Sequence, residues 1–171
     1  MDYTDPITRE FAHKLARKFP GEYNCGQVCA IYMYLRKKWK YISDPNGFEY
    51  VAPASESIKI GLSGDCDDFA VLMASLIQAI GGASRVVLAS GPEGGHAYAE
   101  VYIGPNDWAA QSVIDSIMSV YSYRYILSDF IDWLRSGGRR YINYSCGQDG
   151  CWLNLDWQAL RPGGPYFPAF S

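Results

Sequence analysis

The chain has 171 residues, with 15 lysines and arginines against 18 acidic side chains, a net charge of −3. A chain of this length is expected to form one domain over 1–171 that buries about 70% of the surface its unfolded form would expose, enough for a core without metal. The charge excludes a global attraction to nucleic acid or anionic lipid, and no apolar run approaches the roughly 20 residues that insert across a bilayer.

The N-terminus lacks the apolar stretch of a signal peptide, and Asp2-Tyr3-Thr4-Asp5-Pro6 behind Met1 suits a domain cut from a longer protein just before its first helix. Asp5-Pro6 supplies an N-cap and an N1 proline, and Ile7, Phe11, Leu15 and Phe19 follow at fourfold spacing, predicting a helix that reaches Pro20-Gly21. Asn24-x-x-Gln27 reads as a capping box for a second helix with Val28, Ile31, Leu35 and Trp39 on its apolar side. Eight basic residues between Arg9 and Lys40, against Glu10 and Glu22 alone, read as a solvated helical face. Residues 43–64 hold Asp44-Pro45-Asn46-Gly47, Pro53 and Gly61 and predict irregular backbone.

The strongest helical signal starts after Asp65. Phe69, Leu72, Met73, Leu76, Ile77 and Ile80 share one face before Gly81-Gly82 ends it, which places Cys66 in the first turn. Arg85–Ser90 and His96–Ile103 predict strands joined by a tight glycine-rich connection. In the second strand His96, Tyr98, Glu100 and Tyr102 alternate with Ala97, Ala99, Val101 and Ile103. Helical spacing returns with Val113, Ile114, Ile117, Met118 and Tyr121, and again with Phe130, Ile131 and Leu134. Tyr141–Cys146 and Cys151–Trp157 predict a hairpin around Gly147–Gly150, and Pro162–Ser171 an extended surface strap.

A cysteine in the first turn of a helix faces unsatisfied N–H groups and a partial positive charge that favour its thiolate and a developing oxyanion. Asp65, Asp67 and Asp68 oppose a further negative charge there, so Cys66 needs a cationic partner. Of the two histidines, His13 falls on the polar side of a basic helix, whereas His96 opens a strand behind a glycine-rich turn. Helix-start cysteine, strand-end histidine and a later-strand carboxylate are the nucleophile, base and orienting group of a triad. Spacing alone leaves Asp129, Asp132, Asp149 and Asp156 open as that carboxylate.

Gly64-Asp65-Cys66-Asp67-Asp68-Phe69-Ala70, Gly95-His96-Ala97-Tyr98-Ala99-Glu100-Val101-Tyr102 and Trp152-Leu153-Asn154-Leu155-Asp156 resemble the three motifs of the transglutaminase-like superfamily. Trp39–Asp44 and Pro53–Ser57 are similar to its lead-in to the cysteine, so the resemblance spans about residues 24–157. It implies an α+β, papain-like fold in which N-terminal helices and the nucleophile helix pack on an antiparallel sheet. It also implies Cys66 as nucleophile, His96 as general base and acid, and Asp156 as the carboxylate that holds the imidazole. The Cys66 N–H is one expected oxyanion donor, and the resemblance suggests a second from Trp39, Tyr41 or Gln27. Compact members join the histidine and aspartate strands directly, whereas here a helical insertion of about 105–140, rich in Tyr121, Tyr123, Tyr125 and Trp133, intervenes.

The implied activity is cysteine-dependent acyl transfer from an amide or peptide-type bond through a thioester, hydrolytic as a peptidase or amidase, on a protein or peptide substrate. The alternatives are transglutaminase-type crosslinking and a non-catalytic peptide- or glycan-binding module. No cofactor or metal is expected. Cys25 and Cys29 read as small packing residues, and a Cys146–Cys151 disulfide is favoured over a loosely spaced four-cysteine zinc site, which would place the protein in an oxidising, extracytoplasmic compartment.

Overall fold

The computed structural model describes residues 1–45, 49–91, 94–120, 142–159 and 161–166. Asp5 accepts a hydrogen bond from the Ile7 N–H at 2.8 Å and starts α1 (Pro6–Ala16). The helix stops before the expected Pro20. Its buried stripe is Thr8, Ala12, Leu15 and Ala16, with Ile7 and Phe11 only half-buried. The reciprocal box of Asn24 and Gln27 starts α2 (Cys25–Lys38), which buries Val28, Ile31, Tyr32 and Leu35.

Two-residue strands β1 (Lys40–Tyr41) and β2 (Ser63–Gly64) pair in parallel, and between them runs a helix, α3 (Ala54–Lys59), where irregular backbone was expected. No residue of α3 caps it. The carboxylate of Asp2 does, accepting from the Ala54 and Ser55 N–H groups at 2.9 and 3.2 Å. A cap supplied from 52 residues away leaves no local signature.

The central helix α4 (Cys66–Ala79) follows β2 without a break. Phe69, Leu72, Met73, Leu76 and Ile77 are fully buried, and each contributes roughly 1.5–3 kcal/mol of apolar burial. Helices α1, α2 and α3 pack on one side of it, and β3 (Ser84–Gly91) and β4 (Gly94–Gly104) on the other. Residues 107–120 form a further helix, α5, whose Ala110, Ile114 and Ile117 join the core. The remainder of the expected insertion, 121–140, lies outside the described residues, including Tyr121, Tyr123, Tyr125, Phe130, Ile131, Trp133 and Leu134.

Strands β5 (Tyr144–Gly147) and β6 (Gly150–Asn154) complete an antiparallel sheet of order β3-β4-β6-β5. The hairpin turn is two residues, Gln148 and Asp149, shorter than expected, and Cys146 and Cys151 are directly opposed and disulfide-bonded. That bond takes two of the four sulfurs a zinc site would have needed. Both faces of β4 are covered: Ala99 and Val101 meet the core, while Glu100 pairs with Arg85 at 2.7 Å. The terminal segment packs inward. Residues 162–164 are buried, and Asn154 Nδ2 donates to the Gly164 and Pro165 carbonyls. Residues 167–171 lie outside the described part.

Candidate functional site

Gly64, Asp65 and Asp68 set the position of Cys66. The Asp68 carboxylate accepts the Ala52 N–H at 2.7 Å and the Asp65 N–H at 3.3 Å, tying the loop ahead of α3 to the start of α4. Gly64 has φ +152°, and a Cβ there would collide with the Asp68 carboxylate, so glycine is required for this approach. The first intrahelical bond of α4 runs from the Phe69 N–H to Asp65 O. The N–H groups of Cys66 and Asp67 lie ahead of it and have no helical acceptor.

His96 pairs in register with Ala89 across the β3–β4 ladder, and its side chain is buried. Asp156 lies two residues past β6 and is fully buried. Its Oδ2 stands 2.7 Å from His96 Nε2, its Oδ1 accepts the Gln158 N–H at 3.0 Å, and its own N–H donates to Asn154 Oδ1 at 3.0 Å. The Tyr32 hydroxyl sits between the carbonyls of Asp156 and Ala159, at 2.8 and 2.5 Å, and Arg36 Nε donates to Ala159 O at 2.8 Å. Helix α2 thus holds the loop that holds Asp156.

His96 also hydrogen-bonds Cys66. With Nε2 taken by Asp156, Nδ1 is the ring nitrogen left to face the sulfur. Burial acts to lower the imidazole pKa, but hydrogen bonds to Asp156 and Cys66 and their charges outweigh it and lift it from 6.5 to about 9. Burial, and then the proximity of Cys25, pushes the Cys29 thiol up to about 12, and burial raises Cys25 as well, which disfavours the thiolate at both.

A cleft of about 430 Å³ opens at Cys66 and His96, walled by Tyr41 and Glu49 on one side and Leu88, Ala89 and Ser90 on the other. Asp65 and Asp67 also line it, and among the described residues no lysine or arginine does. Burial, followed by the hydrogen bond and charge of Asp65 and the charge of Asp68, raises the Asp67 pKa to about 7. The carboxylate oxygens of Asp65, Asp67 and Asp68 lie within 4.8 Å of one another, but those of Asp68 are already engaged in the N-terminal clamp.

Of the suggested second oxyanion donors, the structure brings Tyr41 alone to the cleft, half exposed and stacked on Trp157 at 5.1 Å. Trp39 turns inward, edge-on to Phe69 at 5.3 Å, its buried Nε1 without a partner among the described residues. The Gln27 amide is engaged at the far end of α2, donating to Phe19 O and accepting the Asn24 N–H. His13 is exposed, as expected. Two positioning residues were not singled out from the sequence. Asn154 was detectable as an Asx motif two residues before Asp156, whereas the Tyr32 hydroxyl, 124 residues away, carries no sequence signal.

The family model of the transglutaminase-like superfamily matches residues 9–112, more than half of the chain. The chain belongs to the transglutaminase-like superfamily. The match takes in Cys66 and His96 and ends before Asp156. Helices packed around a helix that starts at Cys66, on an antiparallel sheet, are the architecture expected of this superfamily. A crystal structure of a protein from Cytophaga hutchinsonii proposed to be a cysteine protease is 26% identical, with a TM-score of 0.47, over 57% of this chain and 34% of that one. The chain spans about a third of that structure's length. The comparison with curated proteins returned no match.

Proposed function

We propose that this chain is a cysteine hydrolase acting on peptide-type or carboxamide bonds, with Cys66 as nucleophile, His96 as general base and acid, and Asp156 as the orienting carboxylate. The observation that carries this reading is the 2.7 Å contact of His96 Nε2 with the buried Asp156, which leaves the other ring nitrogen for Cys66. In this orientation the imidazole accepts the thiol proton and is held as imidazolium by Asp156. The sulfur attacks the carbonyl carbon, and the N–H groups at the start of α4, that of Cys66 first, face the oxyanion that forms. As the C–N bond breaks, His96 returns the proton to the leaving amine, and a thioester remains on Cys66. Water, deprotonated by His96, attacks the thioester; the C–S bond breaks and the acid departs.

Hydrolysis is favoured over transfer to an amine because the cleft is open. Tyr41 is 50% exposed and Leu88 80%, so water has access to the thioester. The Cys146–Cys151 disulfide supports an oxidising, extracytoplasmic setting. Among the described residues no helix is long and apolar enough to cross a membrane.

Cys66→Ala is expected to abolish both hydrolysis of unfolded polypeptide and labelling by iodoacetamide at neutral pH. Retained turnover would sink the assignment. Labelling that rises with pH only around 8.5, as for a free thiol, would instead favour a non-catalytic binding module.

A further inference from the structure

Among the described residues strand β3 is the edge of its sheet, and its Leu88, Ala89 and Ser90 line the cleft. The bond from the Tyr102 N–H to Ala83 O at 2.9 Å fixes which residues of the ladder exchange hydrogen bonds. With Ser84 opposite Val101, the hydrogen-bonded pairs are Arg85–Glu100, Val87–Tyr98 and Ala89–His96. The intervening residues, Ser84, Val86, Leu88 and Ser90, therefore turn their N–H and C=O groups away from β4. At Ser84 that carbonyl is taken by Gln78 Nε2 at 3.1 Å. Beyond it, the outward N–H and C=O groups of Val86, Leu88 and Ser90 have no protein partner among the described residues.

Open edges are ordinarily guarded by lysine, proline or a bulge, because unpaired amides recruit another strand. Here the outward positions are Val86, Leu88 and Ser90, and the ladder with β4 runs from Ser84 to Gly91 without a bulge. The nearby charge is turned elsewhere: Arg85 pairs with Glu100 and Asp149 and lies over the Trp152 ring. Leu88, 80% exposed, and Ser90 are also walls of the cleft that holds Cys66 and His96. Unguarded backbone groups at alternate residues, about 6.8 Å apart, thus run directly to the candidate nucleophile.

We propose that the free edge of β3 is the substrate-docking rail: an extended polypeptide segment adds beside Val86, Leu88 and Ser90 as a fifth strand and so carries its acyl carbon to Cys66. The inference rests on Cys66 being the nucleophile and narrows the substrate class to chains that offer an extended, unpaired segment. Backbone pairing supplies the affinity, and side-chain selection is confined to alternate positions.

The test reads docking and turnover separately, with reduced, carboxymethylated α-lactalbumin as the unfolded polypeptide and a labelled fragment of it for binding. Proline is tolerated on an edge strand where its N–H would face outward, so Leu88→Pro removes one rail donor and leaves the β4 ladder intact. Its kcat/KM is expected to fall at least tenfold below that of Leu88→Ala, which controls for the side chain, with the melting temperature of the two variants similar. Equal rates for the two would overturn the rail.

Should Leu88→Pro fail to fold, the fragment is N-methylated residue by residue, starting two or more residues from the cleaved bond, and its binding to the Cys66→Ala protein is measured by fluorescence anisotropy. Pairing predicts losses of about tenfold at every second residue. A flat profile, or no binding, overturns the rail. Cleavage by Cys66→Ala would instead refute the nucleophile, and the binding series would still decide the rail.

Discussion

The first turn of α4 gives Cys66 N–H groups without a helical acceptor, and beside it the carboxylates of Asp65, Asp67 and Asp68. The structure relieves this opposition in two ways. Asp68 is turned back to receive the Ala52 and Asp65 N–H groups, and Asp67 is held near a pKa of 7, so that it is only partly ionised at neutral pH. A carboxyl whose pKa is raised on folding costs stability as pH climbs from its unfolded value near 4 through 7. Asp67→Asn should therefore stabilise the protein, with a gain in melting temperature that grows between pH 4 and 7 and then levels off. A gain independent of pH would contradict this. His96 has the same slope in a higher window. Its raised pKa contributes stability that is complete below 6.5 and lost as pH approaches 9, and the alkaline limb of kcat/KM should fall at about 9. Asp156→Asn should lower kcat by about 10³–10⁴ and move that limb toward 6.5 or below, where burial acts unopposed. A limb left at 9 would mean that Asp156 does not hold the imidazole.

Among the elements, α4 and its lead-in were the most legible. Of six apolar residues at helical spacing, five became fully buried side chains, because a helix with one continuous apolar stripe has a single way to bury it, while Ile80 caps the helix and is half-buried. The N-terminal clamp sharpens what Gly64 does in that motif. Gly64→Ala should displace Asp68, release the Asp65 and Ala52 N–H groups and cost about 1–3 kcal/mol. A thermal melt would show this as a drop of several degrees, and an unchanged melt would mean that the loop absorbs the Cβ. Helix α3 was not legible, because its cap, Asp2, comes from the start of the chain. The stripe of α1 was misjudged for a related reason. Its Phe11 stacks edge-on with Tyr34 of α2 at 5.8 Å and stays half-buried, while small Thr8, Ala12 and Ala16 make the close approach to its neighbours.

Across the molecule, the site is assembled from segments far apart in the chain: Cys66 on α4, His96 on β4 and Asp156 beyond β6, braced by Tyr32 and Arg36 of α2. The β5–β6 hairpin brings Asp156 home, and its disulfide closes a short loop. Replacing Cys146 and Cys151 together by alanine should cost about 2 kcal/mol, or roughly 5 °C in melting temperature, if the crosslink acts chiefly on unfolded-chain entropy. No change in melting would show that the β-turn alone holds the hairpin. The sequence by itself determined the helices and strands whose apolar periodicity is local, the helix-start position of Cys66, and, through three motifs, the superfamily. Only the tertiary structure decided how Asp156, named by the motif but not by spacing, reaches His96, that Gln27 and Trp39 lie away from the cleft, and that Leu88 and Ser90 of β3 wall it beside Cys66. Such pairings join residues tens of positions apart through packing and strand register, and a linear pattern encodes neither.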